Sequence, residues 1–375
     1  MRFSDLTTLR IGGEIRKLVE ARTADEVIEA VAAADAAGEP LLVLGGGSNL
    51  VASDEPFSGT VVLLRDPEDP PLLDATCEVG ASGEPDGVPV DPAELTPLDP
   101  TCGGAIVEYF AGASWDRAVR YAIAREMVGI EALSGIPGSV GATPIQNVGA
   151  YGQEVAATIS RVRTWDREQN AVRTFFAADC GFAYRDSIFK RTRYSGAAPS
   201  GTGRYVVLSV TFQHTLGHRS APIRYAQLAA ALGVEVGERA PMHEVRAAVL
   251  AIRGSKGMVL DARDHDTWSA GSFFTNPILT AQDAALLPAD APRFPVGDDR
   301  VKTSAAWLIS HAGIERGHAV GQRAAVSSKH SLALTNRGGA SSEDLVALAQ
   351  DVQSRVQESF GIHLEPEPVR LGLDL

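Results

Sequence analysis

Apolar residues along this chain recur at two spacings, and the changes between them mark out its parts. Leu18-Val19-Glu20-Ala21 reads as a short strand. Thr23 stands three residues before Glu26, the spacing of a capping box, and the helical run from Val27 to Ala37 then ends at Gly38. LLVL (41–44) reads as a buried strand that stops at Gly45-Gly46-Gly47-Ser48-Asn49, and Thr60 to Leu64 as another. AIVEYFAGAS (105–114) follows as a strand, with Ser114 placed to cap a helix from Trp115 to about Glu126. Residues 129–155 hold too many Gly and Pro for regular structure, and too many apolar residues for a solvated linker. The stretch 156–213 is strand-rich (ISRVRTWDRE, AVRTFFAAD, RYVVLSVTFQH), and 220–335 mixes strands with helices (PMHEVRAAVLAIRG, KTSAAWLISHAG). Near the end, Ser341-Ser342-Glu343-Asp344 precedes Leu345, Ala349, Val352, Val356 and Phe360 at helical spacing, and HLEPEPVRL reads as a terminal strand. There is no internal repeat and no heptad pattern.

Composition narrows the class. A length of 375 residues implies two or three domains, and 45% apolar with 22% charged residues is a globular mix. No run approaches the roughly 18–20 apolar residues of a membrane span, and MRFSDLTTLRIGG lacks the pattern of an export signal, so a cytoplasmic location is expected. The net charge of −13 disfavours nucleic acid as a partner, but the acidity is local. Residues 66–100 hold ten Asp or Glu, eight Pro and no Lys or Arg; without them the charge falls by ten, to −3. Such a segment reads as an acidic, Pro-rich surface insertion. Cys77, Cys102 and Cys180 are too few for a disulfide framework or a zinc site; Cys77 and Cys102 flank the insertion, and two unpaired thiols are the expectation. The eight histidines show no ligand spacing, and no metal is expected.

Five motifs carry candidate chemistry. LLVLGGGSN (41–49) runs a strand into three glycines, either a tight turn or a nest of N–H groups for a diphosphate; it is neither G-x-G-x-x-G nor a P-loop. The stretch from Gly135 to Gly152, with Gln146, Asn147 and Tyr151, dictates an unusual backbone path and reads as ligand-lining. In CGFAYRDSIFK (180–190), Arg185 is either half of a structural Arg–Asp pair or a two-pronged donor for a substrate carboxylate. Ser272 in SAGSFFTNP (269–277) reads as a capping or turn residue, and is no G-x-S-x-G nucleophile. Glu365-Pro366-Glu367 near the C-terminus is solvated or catalytic.

Taken in order, TTLRIGG (7–13), LVLGGGSNL, IEALSGIPGSVGATPIQNVGAYGQEV, FAYRDSIFK, IRGSKG, SAGSFFTNP, KTSAAWLISHAG and LEPEPVR resemble the UDP-N-acetylenolpyruvoylglucosamine reductase family, flavoenzymes of bacterial peptidoglycan precursor synthesis. FAYRDSIFK and Tyr225 in APIRYAQL resemble its branch with a substrate-covering tyrosine loop. The resemblance implies an α+β fold: a vanillyl-alcohol-oxidase/PCMH-type two-part FAD-binding fold plus a C-terminal α+β substrate-binding domain. The implied domains are 1–65 (completed by 336–375) and 101–215 for FAD and 216–335 for substrate, with 66–100 inserted. It implies non-covalent FAD lined by Leu44, Gly45, Gly46, Gly47, Ser48, Asn49, Gly135, Ile136, Pro137, Gly138, Gly141, Ala142, Gln146, Asn147, Gly149, Ala150 and Tyr151. NADPH is the implied hydride donor in a ping-pong scheme. Arg185 is the implied cation, Ser272 the proton donor and Glu367 the acid, with a pocket that raises its pKa. Tyr184, Tyr225, Lys256 and Asn276 are implied to meet the substrate, a UDP-sugar. Two departures stand out: LEPEPVR carries an additional Pro368, for which Glu367 rather than Glu365 takes the catalytic place, and GMVLDARDHDTWSAG replaces the common Leu-Pro-Asp-Pro version after Lys256. The rival classes are a flavin oxidase, which would consume oxygen, and a colourless nucleotide-sugar-binding protein.

Overall fold

The computed structural model describes residues 1–67, 70–75, 104–195, 201–297 and 299–374. Cys77, Cys102 and most of the acidic insertion lie outside them. The described chain forms two compact units, one of residues 1–18, 46–60 and 254–375, the other of residues 19–45 and 61–253.

The larger unit is built on an antiparallel sheet with the order Ala171–Phe176, Ile159–Asp166, Tyr205–Leu216, Gly104–Phe110, Leu72–Ala75. Tyr205–Leu216 is central, so its first eight residues are all buried. Helix Trp115–Ala124 covers the sheet with Trp115, Ala118, Val119 and Ala122, an i, i+3, i+4, i+7 stripe whose lead Trp115 lies against Phe212 at 5.9 Å. Ser114 is its N-cap residue but makes no side-chain cap bond; it instead forms a bridge with Ser139, and its N–H donates to Asp66. Strand Leu72–Ala75 corrects the reading of the whole insertion as solvated loop: it pairs with Gly104–Phe110 from Leu72 opposite Glu108 to Ala75 opposite Ala105. Four residues between prolines and acids are too short a run to show periodicity.

Strand Leu41–Leu44 also belongs to this unit, as does helix Ala24–Ala36, which buries Val27, Val31 and Ala34. The expected capping box is formed: Glu26 N–H donates to Thr23 Oγ1, and Glu26 accepts from the Thr23 N–H. At the helix's far end Asp35 meets Arg167, both almost fully buried, at 2.5 Å; Arg167 also donates to the carbonyls of Thr202 and Gly203. A buried guanidinium is tolerated here because its donors are spent on a carboxylate and carbonyls.

The smaller unit packs Leu9, Ile11, Val51, Phe273, Phe274, Leu308, Leu345, Leu348, Val352 and Val356 into one core. Helix Ser342–Phe360 supplies the last four, under a capping box of Ser341 and Asp344. Asn336, 2% exposed, donates to the carbonyls of Leu9 and Arg10 and accepts from the N–H groups of Gly338 and Ala340. The terminal strand is shorter than expected: Val369–Leu371 pairs in parallel with Leu50–Ala52.

Candidate active site

In the larger unit, the end of strand Leu41–Leu44 and the second Gly-rich stretch come together. A Cβ on Gly45 would collide with Ser139 Oγ, so any larger residue would have to displace that side chain. The stretch itself is laid along the chain before helix Trp115–Ala124: Val140 N–H donates to Ala113 O and Gly141 N–H to Ala111 O, both at 2.8 Å, while Trp115 N–H donates to Gly138 O. Gly141 touches Ala111 closely enough to exclude a side chain, and Gly135 and Gly138 hold φ of +71° and +123°. Gly135 N–H is fixed by Asp116, whose carboxylate also takes two bonds from Arg246. Burial would push Asp116 up, but these bonds outweigh it and hold its carboxyl below the usual range.

Beyond it, residues 145–149 are clamped to the hairpin that carries Tyr184 and Arg185. Ala183 and Asp186 exchange backbone hydrogen bonds, leaving those two residues at the tip with Arg185 at φ +51°. Ser187 Oγ donates to Ile145 O. The Asn147 amide, on a residue 1% exposed, donates to Glu154 and to Ala183 O and accepts from the Ala156 N–H. That side chain is therefore a brace within the protein rather than a reader of a ligand's edge. Arg185 donates to Gly149 O (2.9 Å) and Asn147 O (3.4 Å). Asp186 pairs with Arg191. Tyr151, at φ +50°, lies edge-on to Tyr225 with ring centroids 5.6 Å apart. Burial raises the Tyr151 phenol above its ordinary range, partly countered by the Arg253 charge.

Gly46, Gly47, Ser48 and Asn49 lie in the smaller unit. Gly47, at φ +60°, presses on Leu6 O and accepts from the Thr8 N–H; Asn49 O accepts from Val369 N–H. Ser272, Asn276, Glu367 and Lys256 are also in this unit. Phe273 and Phe274 are buried, and Ser272, between Gly271 (φ +77°) and Phe273, is half-exposed. Glu367 N–H donates to Phe273 O at 2.8 Å and Thr275 N–H to Glu365 O at 3.0 Å, so Glu367 stands level with the residue after Ser272. Glu367 is half-buried, whereas the Glu365 side chain is 72% exposed. Pro368, which has no N–H, fills a buried position before the Val369 bond to Asn49. Asn276 Oδ1 accepts from the first N–H of helix Ala305–His311. Lys256 precedes Gly257, whose φ of +66° seats it on Asp266 O; buried Asp266 accepts from Ser328 twice and from Arg337. That network holds the loop whose sequence departs from the common version.

The chain is 51% identical to the UDP-N-acetylenolpyruvoylglucosamine reductase of Cutibacterium acnes (strain DSM 16379 / KPA171202), across 98% of this chain and 88% of that protein. It belongs to that family. The reductase of Thermobifida fusca (strain YX) is 46% identical across 99% and 97% of the two chains. Residues 263–371 match the family model of the reductase's C-terminal domain, and 15–69 with 74–174 match an FAD binding domain. A crystal structure of the reductase from Thermus caldophilus shares the fold, with a TM-score of 0.58 at 22% identity over 99% of this chain and 97% of that one. The α+β fold, with its FAD-binding and reductase C-terminal parts, is therefore the one expected. FAD fits the larger unit: Gly135 and Gly138, at φ +71° and +123°, give the stretch the positive-φ backbone turns from which a diphosphate-binding nest of N–H groups is made.

Three residues that hold this arrangement were not read from the sequence. Asp116 and Gln153 have no motif of their own. Glu131 did leave a signal: it is a lone carboxylate inside the apolar run GIEAL.

Proposed function

We propose that this chain reduces the enolpyruvyl ether of UDP-N-acetylenolpyruvoylglucosamine to UDP-N-acetylmuramate with electrons from NADPH. It would act in the cytoplasm on small molecules, with neither nucleic acid nor membrane as partner. The observation that carries the chemistry is the ladder that sets Glu367 beside the Ser272 turn, two groups from opposite ends of the C-terminal domain sequence. When bound, FAD supplies to the terminal vinyl carbon the hydride taken from NADPH. Leu44 and Gly45 with 135–151 would hold it.

The residues do the rest. Arg185, braced on two carbonyls, keeps a planar cation for the substrate carboxylate, onto which the negative charge left by hydride addition spreads. Ser272 Oγ–H gives its proton to the carbon bearing the ether oxygen. A hydroxyl is a weak acid, so the step needs a strongly basic carbanion and a fixed donor, and the Gly271–Phe273 turn fixes it. Glu367 stabilises the same charge as a hydrogen-bonded acid. Tyr184, Tyr225, Lys256 and Asn276 engage the rest of the substrate.

The visible spectrum of the purified protein tests the reading. A flavin band that NADPH bleaches and the enolpyruvyl substrate restores is expected. A colourless protein, or oxygen consumption driven by an alcohol, would overturn it. Ser272→Ala should still bleach at the wild-type rate while reoxidation by substrate slows about 10²- to 10⁴-fold. Equal slowing of both steps would remove Ser272 from the proton's path.

A further inference from the structure

Glu131 is 0% exposed and lies in a 3-10 turn before the Gly-rich stretch. Leaving a carboxylate there without partners would be costly, and each of its oxygens is used. Oε2 accepts from the Gly129 N–H at 2.7 Å. Oε1 accepts from Gln153 Nε2 at 2.8 Å and from the Ala221 N–H at 2.6 Å. Gln153 returns a bond, accepting from the Ala132 N–H. One carboxylate oxygen thus joins the end of the Gly149–Gln153 hairpin to the segment that leads to Tyr225.

The two segments stay together beyond that point. A Cβ on Gly152 would come within 2.7 Å of Arg224 Cβ, and the Tyr151 ring meets the Tyr225 ring edge-on. Ala132, next to Glu131, packs in one buried cluster with Ile223 and Leu228, with Tyr151 against it. Tyr225 itself is 44% exposed and caps a seven-residue helix without a side-chain bond. Its place is therefore set from below, through residues 221–224.

We propose that Glu131 is a positioning residue: it fixes Tyr225 over Tyr151 and so joins the flavin-lining stretch to the tyrosine that meets the substrate. It acts through Tyr225 and touches neither flavin nor substrate. The proposal rests on the reductase reading above.

A double-mutant cycle tests it by stopped-flow absorbance, with both half-reactions measured on the flavin-loaded protein. Glu131→Gln keeps the shape but turns one acceptor into a donor, which opposes the Gly129 N–H or the two donors at the other oxygen. It should raise the substrate concentration needed for half-maximal reoxidation about tenfold and leave bleaching by NADPH within about twofold. In a Tyr225→Ala background the same change should add less than about twofold, because the group it positions is gone. Gln153→Met, which removes one donor to the same oxygen, should show the same pattern at smaller size and serves if Glu131→Gln fails to fold. Additive effects in the cycle, or equal slowing of both half-reactions, would overturn the proposal. Failure of the wild-type protein to bleach or to reoxidise would instead overturn the reductase reading.

Discussion

Asn147 offers a direct measure of what the brace beneath Arg185 contributes. Asn147→Ala deletes three hydrogen bonds at a residue 1% exposed: two from the amide to Glu154 and Ala183 O, and one accepted from the Ala156 N–H. At about 1 kcal/mol each, they amount to about 3 kcal/mol. Asn147 also sits at φ +45°, where alanine is strained by about 1 kcal/mol relative to asparagine or glycine. Denaturant unfolding should therefore show a loss of about 4 kcal/mol for Asn147→Ala and about 3 kcal/mol for Asn147→Gly. With the hairpin tip loosened, Arg185 is held less firmly, so reoxidation by substrate should slow more than bleaching by NADPH in both variants. Equal losses for the two substitutions would refute the backbone argument. A loss under about 1 kcal/mol for both would refute the brace itself.

Other outcomes follow from the same structure. FAD should be held without a covalent bond, since no His or Cys occurs in 44–50 or 135–152; acid precipitation should leave all the yellow colour in the supernatant, and colour in the pellet would contradict this. Replacing residues 77–101 by a short Gly-Ser turn should keep turnover within a few-fold, because the entropic cost of closing a chain segment changes little with its length; extending the deletion through strand Leu72–Ala75 should lower stability. His214 is buried against Phe212 and donates from Nδ1 to Val128 O, and burial pulls its pKa down to about 4. The unfolded chain then binds the proton first, so stability is full above about pH 6.5 and falls as the pH drops to about 4, by up to about 3 kcal/mol. Urea midpoints at pH 7 and pH 4.5 check this, and His214→Phe should flatten the difference.

What could be read beforehand was what is local. The Thr23–Glu26 and Ser341–Asp344 boxes, the Val27–Val31–Ala34 stripe and the strand of LLVL depend on neighbours within a turn or two, and they form as expected. The glycines of 135–152 announced a fixed path, since positive φ at Gly135, Gly138 and Gly152 leaves little else that fits. Long-range placement was not legible. Ser114 reads as a side-chain cap, yet the bridge to Ser139 takes its backbone instead. Asn147 reads as an edge reader, yet Ala183, thirty-six residues on, uses its amide. The ladder that sets Glu367 against Phe273 and Glu365 against Thr275 is encoded by no spacing in the C-terminal sequence.

Strand Leu50–Ala52 has its pairing partner in Val369–Leu371, at the opposite end of the chain. A polypeptide emerges from the ribosome N-terminus first, so Leu50–Ala52 must wait with this edge unmatched until Val369–Leu371 has been made. Glu367, two residues ahead of that strand, arrives in the same moment. The smaller unit is thus assembled by contacts between segments far apart in sequence, a slow route for a folding chain. A chain that stops short of Val369 therefore leaves Leu50–Ala52 without its parallel neighbour, and the ladder that holds Glu367 to Phe273 unformed.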